Sequence, residues 1–283
     1  MKEGGAHLIN LPDLIYLLKF VLLGFVQGFT EPLPISSSGH IVIFRDILGI
    51  HTTGLSFEIF VHFASLIAII LVYWKDIVTL FTEGMKFVLR REAKYAGSFR
   101  IIVYLLIATF ITGVIGLFVE DYVSDELATP FYAGVALLVT GVFVWIIRNL
   151  EGHKSDEEIT LKDTIIIGLA QTCALIPGIS RSGATVVAAM LLGLKRETAL
   201  RFSFLLAIPV ILGVNVLSIK DIAEDHLLHV NLIPYIVAFI VTLLATYFAL
   251  KWFINVMARG KLVIFSIYCF IVGTGVIIHQ TFF

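Results

Sequence analysis

The stretch GFVQGFTEPLPISSSGH, Gly24 to His40, sets a carboxylate, two prolines, three serines and an imidazole inside a strongly apolar chain. The 283 residues are 59% hydrophobic and only 14% charged, with a mean hydropathy of +0.99. Soluble domains carry about 25% charged residues, so this composition is that of an integral membrane protein. A spanning helix has no place for such a polar stretch, and the stretch must therefore break one.

Around it, six apolar runs meet the requirement of roughly 20 residues for a spanning helix: 57–74, 100–119, 131–148, 200–219, 231–250 and 262–282. Barrel strands would show segments of about ten residues alternating apolar and polar, and that pattern is missing. The expected fold is an all-α polytopic membrane protein. A net charge of -1 excludes a broad basic nucleic-acid surface, so the bilayer is the expected partner and nucleic acid is not.

Shifting the chain by 144 residues lays Gly24–His40 on GLAQTCALIPGISRSGA, Gly168–Ala184, without a gap. Gly24/Gly168, Gln27/Gln171, Ile35/Ile179, Ser36/Ser180, Ser38/Ser182 and Gly39/Gly183 coincide, which points to an internal repeat. Each copy reads as an apolar run of about a dozen residues, a Pro/Gly/Ser break and a second short apolar run. Neither arm is long enough to cross, so each copy is expected to be a re-entrant helical hairpin, at about 10–50 and about 163–195. Three spans follow each hairpin. An odd number inverts the second half, giving an inverted-topology repeat of 8–149 and 160–283 within a single membrane domain.

Charge sets the expected orientation. The segment 75–100 carries Lys75, Lys86, Arg90, Arg91, Lys94 and Arg100, whereas 120–129 has acids and no Lys or Arg, so the first faces the cytoplasm and the second the outside. Trp74, Trp145 and Trp252 fall near span ends and read as interfacial belt residues. Cys173 and Cys269 lack CxxC spacing and read as small buried hydrophobes without a disulfide. The N-terminal run has no small-residue cleavage site, and a removable signal peptide is not expected.

Irregular backbone and ionisable groups survive at membrane depth only where protein or a water-filled cavity satisfies them. The two broken tips are therefore expected to meet at one polar cavity. Where the copies differ, Glu31 faces Leu175, Ser37 faces Arg181 and His40 faces Ala184 in the alignment. One tip supplies a carboxylate and an imidazole, the other a guanidinium. Arg181 among Ser180, Ser182, Gly178 and Gly183 suits phosphate oxygens. Gln27 and Glu31, spaced i, i+4 on one helix face, suit a hard cation between that phosphate and the carboxylate. His40, three residues after Ser37, is the expected base for that hydroxyl; attack by His40 itself, or by water activated by His40 or Glu31, stays open. Helix capping is the plainer role for the serines, and a structural role or a Glu31–Arg181 pair is the plainer reading of the rest. Among the other histidines, His7, His51, His153, His226, His229 and His279 read as solvated, while Glu58 and His62, i and i+4 at the start of the next span, are the exception and stay open between a role at or beside the site and none.

These motifs resemble those of the bacterial undecaprenyl-diphosphate phosphatase family linked to bacitracin resistance, and the resemblance covers essentially the whole chain. Gln27 and Glu31 match its Glu-or-Gln, three residues, Glu pattern; PISSSGH matches its PVSSTGH; and PGxSRSGAT runs intact from Pro177 to Thr185. The resemblance implies hydrolysis of undecaprenyl diphosphate to the monophosphate and phosphate, on the outer side of the bacterial plasma membrane, recycling the lipid carrier for wall polymers. It also implies a divalent cation, Mg²⁺ or Ca²⁺, on Glu31 and Gln27. Ser37 and His40 fall at the nucleophile or base, Arg181 at the phosphate-binding arginine, and Ser36, Ser38, Ser180, Ser182 and Thr185 beside the substrate. A homo-oligomer is left open. This chain departs from the pattern at Gln27, where many members have Glu, at Ser38 for Thr, and at HFAS, His62–Ser65, for HxGT. The alternative from another class is a polyprenyl-phosphate transporter or flippase, since inverted repeats with broken helices also build transporters.

Overall fold

The computed structural model describes residues 11–50, 55–119, 127–219 and 232–282. Helices α1 (Leu11–Thr30) and α2 (Ser37–Leu48) flank the first break and are followed by α3 (Leu55–Val72), α4 (Trp74–Arg90), α5 (Ala96–Val119) and α6 (Pro130–Ile147). The second break separates α7 (Leu161–Thr172) from α8 (Arg181–Leu191), and α9 (Arg196–Leu217), α10 (Leu232–Ala258) and α11 (Val263–Phe282) complete the fold. Among the described residues there is no β-strand, only an isolated bridge between Lys154 and Leu194.

Every expected span is a helix: 57–74 is α3, 100–119 is α5, 131–148 is α6, 200–219 is α9, 231–250 is α10 and 262–282 is α11. Large apolar side chains such as Leu18, Phe81, Phe110, Phe248 and Ile271 stay exposed around the bundle, which a lipid environment covers and water would not. The chain is an all-helical, multi-pass membrane protein.

Two elements differ from the sequence reading. Helix α1 has 20 residues, not a dozen, and is long and apolar enough to cross alone, whereas α2, α7 and α8 have 12, 12 and 11. Lys19 interrupts the apolar run in sequence; folded, its Nζ reaches the Leu48 carbonyl at the end of α2, 2.5 Å away, and the helix continues past it. The charged segment after residue 74 contains the helix α4, bent 72° from α3. Its charges mask an amphipathic period: Val78, Phe81, Met85 and Val88 are exposed on one face, while Leu80 and Gly84 are buried on another, Gly84 against Ile102 of α5.

The two breaks are held by matching crossings. Gly24 of α1 lies so close to α10 that an added Cβ would stand 2.6 Å from the Ala238 carbonyl oxygen, and Thr242 donates to the Gly24 carbonyl at 2.8 Å. Gly168 of α7 lies against Ala108 of α5, 3.0 Å from its Cα to an added Cβ, and Thr112 donates to the Gly168 carbonyl at 3.3 Å. In each crossing a glycine admits the partner backbone, and a threonine one turn beyond the alanine closes a hydrogen bond across the gap. Gly24 and Gly168 are also a coincident pair of the 144-residue alignment.

Trp74, Trp145 and Trp252 are all exposed, as residues facing lipid or its interface are. Cys269 is buried in the core, but Cys173 is exposed, because it lies in the 3₁₀ turn after α7 that the chain makes before the second break. His153 and His279 are exposed; His7, His51, His226 and His229 lie outside the described residues.

Candidate active site

Both breaks end in a serine that caps the following helix. Ser36 Oγ accepts the Gly39 N–H at 3.2 Å to start α2, and Ser180 Oγ accepts the Gly183 N–H at 3.0 Å to start α8. Capping places the next residue, Ser37 in one tip and Arg181 in the other, at a helix N-terminus, where unpaired N–H groups and the helix dipole favour negative charge. The tips touch directly. Ser38 Oγ accepts the Gly178 N–H at 3.2 Å, and Ser182 Oγ donates to the Leu33 carbonyl at 2.9 Å.

Across this contact Arg181 Nη2 donates to Glu31 Oε1 in an ion pair, with the carboxylate buried. The other oxygen, Oε2, accepts from Ser37 Oγ at 2.5 Å and from Gln27 Nε2 at 2.9 Å. His62 Nδ1, from α3, stands 3.3 Å from the same oxygen and 3.1 Å from Gln27 Nε2. Glu31 is thus the centre of the site, touched by both tips and by a spanning helix.

A cavity of about 210 Å³ opens beside it. Its polar side is Glu31, Ser37, Ser38, His62, Ser180 and Arg181; its apolar side is Ile59, Ala174, Ile179, Val210, Ile211 and Val214, with Asn215 at the α9 end. A polar floor beneath an apolar wall suits a ligand with an anionic head and a hydrocarbon tail. Gln27 and Glu31, one helical turn apart at the end of α1, bring an amide and a carboxylate within 2.9 Å of each other, a donor pair that suits a hard divalent cation once Arg181 leaves the carboxylate.

The expected residues do not all reach this cavity. His40 is buried with both ring nitrogens engaged: Nδ1 donates to the Ser36 carbonyl at 2.7 Å, and Nε2 meets the Tyr268 hydroxyl at 2.8 Å. Its ring stacks on Tyr268, 5.6 Å between centroids. Three residues along α2 turn it away from Ser37 and toward α11, so the group hydrogen-bonded to the Ser37 hydroxyl is Glu31, not His40. Ser36 is spent on its cap, Ser182 on the Leu33 carbonyl, and Thr185 on the Arg181 carbonyl at 3.0 Å. These three shape the tips rather than line the cavity. Glu58 pairs with Arg45 at 2.8 Å, away from the cavity, while His62 of the same helix enters it. Asn215 and Tyr268 carried no sequence signal, because each is an isolated polar residue in an apolar span.

The fold and site define a class: a multi-pass helical membrane protein whose two broken helices join a carboxylate, a hydroxyl and a guanidinium at one amphipathic cavity. The family model described as "Bacitracin resistance protein BacA" matches residues 20–275, and the chain belongs to that family. It is 55% identical to "Undecaprenyl-diphosphatase 2" of Bacillus thuringiensis (strain Al Hakam) over 258 residues, 91% of this chain and 96% of the relative. "Undecaprenyl-diphosphatase 1" of Bacillus licheniformis is 52% identical over 267 residues, 94% of this chain and 99% of the relative. The protein of that name from Halalkalibacterium halodurans is 51% identical over 261 residues, 92% and 95% of the two chains.

Proposed function

We infer that the chain is an undecaprenyl-diphosphate phosphatase, releasing phosphate from the lipid diphosphate and returning undecaprenyl phosphate as carrier for wall synthesis, with bacitracin resistance as a consequence. The observation that carries this is the contact of Arg181, Glu31 and Ser37 at the floor of a cavity with an apolar wall. The family and the named relatives support the same reading.

In this reading the prenyl chain lies along Ile59, Val210, Ile211 and Val214, and the diphosphate enters the polar floor. Arg181 exchanges its Glu31 partner for the terminal phosphate, whose oxygens its planar donor fork suits. The N-termini of α2 and α8 add favourable dipoles from two directions. Freed of the guanidinium, Glu31 is the base: the Ser37 proton passes to Oε2, already 2.5 Å away. Ser37 Oγ then forms a bond to the terminal phosphorus as the anhydride P–O bond breaks. Undecaprenyl phosphate leaves with that electron pair, and water later cleaves the Oγ–P bond to free Ser37. Transfer of this kind depends on positioning and charge neutralisation. A Mg²⁺ or Ca²⁺ ion on Glu31 and Gln27 would neutralise phosphate charge when bound. His40 holds the tip in shape through Ser36 and Tyr268.

The basic segment 75–100 and the acidic 120–129 support a cytoplasmic and an external side respectively, with the cavity open to the outside of the plasma membrane. The matched glycine crossings of α1 on α10 and α7 on α5 support two inverted halves. Purified protein in detergent should release phosphate from a polyprenyl diphosphate with added Mg²⁺, and Glu31→Ala should lower the rate by about 10²-fold or more. Pure protein that releases no phosphate yet moves labelled polyprenyl phosphate across vesicles would instead establish the transporter.

A further inference from the structure

Helix α4 presents three stripes to three surroundings. Leu80, Gly84 and Phe87 turn to α5, with Gly84 against Ile102 and the Phe87 ring 4.9 Å from that of Phe99. Trp74, Val78, Phe81, Met85 and Val88, at every third or fourth position, stand exposed on a second side. Lys75, Thr79, Thr82 and Lys86 form an exposed third stripe that adjoins the apolar one. The acids of the helix are spent inside the protein: Arg201 of α9 donates to Asp76 at 2.6 Å, and Ser98 of α5 donates to Glu83. Glu92, just past the helix, pairs with Lys94 at 2.9 Å and Arg90 at 3.8 Å. Among the described residues neither Lys75 nor Lys86 forms an ion pair; Lys86 meets only the Tyr95 ring, 5.3 Å from its centroid.

Whatever covers this outer surface must be apolar along one stripe and anionic along the next. Residues Lys75, Asp76, Glu83, Lys86 and Arg90 keep α4 from spanning by itself, and the 72° bend turns it from the crossing direction of α3 toward the membrane plane. The apolar stripe continues the exposed surface of α3, where Leu71 also faces outward. We propose that α4 lies in the membrane interface with its apolar stripe among the outer acyl carbons, and that Lys75 and Lys86 hold the headgroups of anionic phospholipids. A lysine stem lies over the neighbouring apolar stripe while its ammonium reaches the headgroup phosphates. Neither exposed stripe carries an acid, so a twofold contact of this face with itself would leave both lysines unanswered.

The test uses full-length protein with Trp145→Phe and Trp252→Phe, which leaves Trp74 to report alone, in phosphatidylcholine vesicles. A small fraction of the lipid is acyl-brominated phosphatidylglycerol or, in a matched set, acyl-brominated phosphatidylcholine. At low salt the brominated phosphatidylglycerol is expected to quench Trp74 emission about twofold or more beyond its counterpart, and about 0.5 M salt should erase the excess. Lys75→Gln with Lys86→Gln should erase it as well, and the salt series on unaltered lysines decides the matter if that variant does not fold. Equal quenching by the two lipids at low salt, or an excess that survives loss of both lysines, overturns the proposal. Depth is read from a nitroxide on Phe81→Cys in a background with Cys173→Ser and Cys269→Ala. Oxygen should reach that label, about 5–10 Å into the interface, more readily than a water-soluble nickel chelate does, and Thr79→Cys should show the reverse. Free access of nickel to the Phe81 label, or strong dipolar coupling between the labels of two copies in dilute protein, would show that water or a second chain covers the stripe and would overturn the proposal.

Discussion

The two broken tips share six of seventeen aligned residues and reach different ends. In the first, Pro32 and Pro34 stiffen the break and the positive φ falls on Ser36, at 65°; in the second it falls on Gly178, at 90°, the residue aligned with Pro34. Both then cap a helix with serine, and at the next position one offers a hydroxyl and the other a guanidinium. The caps fix where that position points, and the residue there decides what it does. Two similarly capped tips thus present a residue each to one cavity, and the difference at that single position sets a hydroxyl on one side and a guanidinium on the other.

The comparison breaks most readily at Arg181. Arg181→Ala should lower kcat/KM by about 10³-fold or more, as loss of a charge-stabilising arginine does in phosphoryl transfer. A rise in KM alone, with kcat intact, would reduce Arg181 to ground-state binding. Ser37→Ala should cost about 10²–10⁴-fold in kcat and abolish any phosphoserine recovered from quenched, digested enzyme. Ser182→Ala, in the aligned tip, should leave kcat within about threefold and lower stability by about 1 kcal/mol, because its hydroxyl serves the backbone carbonyls of Leu33 and, at 3.5 Å, Glu31, and the neighbouring Ser180, and does not reach the cavity.

Backbone substitutions sharpen the same contrast at smaller cost. Gly178→Ala combines a positive φ with an added Cβ 2.8 Å from that of Ala136, and should destabilise the protein by about 1–3 kcal/mol in thermal unfolding in detergent. Glycine at the two caps should act oppositely. Ser36→Gly loses a cap but relieves a left-handed non-glycine residue, so stability should hold or rise, by at most about 1 kcal/mol. Ser180→Gly, at φ −70°, relieves nothing and should lose a few tenths of a kcal/mol.

Much of this was legible in the sequence. Spanning helices follow from apolar runs, and the meeting of the tips follows from the expense of leaving Glu31 and Arg181 alone in a membrane. What the sequence hid was set by three-dimensional direction. His40 lies three residues from Ser37 on α2 and seemed its natural partner, but the helix turns it to Tyr268, 228 residues away. Glu31 lies six residues from Ser37 across an irregular break, a distance no periodicity can read, and is its actual hydrogen-bond partner. Helix α4 was hidden because its charges outweigh its apolar face in any running average. The 20-residue length of α1 was hidden because Lys19 interrupts its apolar run, and the Leu48 carbonyl that accepts from its ammonium comes from another helix.

The account stands on the two tips sharing one pocket, and a cysteine pair tests that most directly. A Cβ added to Gly183 would stand 3.6 Å from Cβ of Pro34, inside the range a disulfide spans. In a background with Cys173→Ser and Cys269→Ala, mild oxidation of Pro34→Cys with Gly183→Cys should yield an intramolecular cross-link, found by mass spectrometry of the digested protein and absent from either single cysteine variant. Two reactive thiols that never join, in folded protein, would show that the tips lie apart and that no divided site exists.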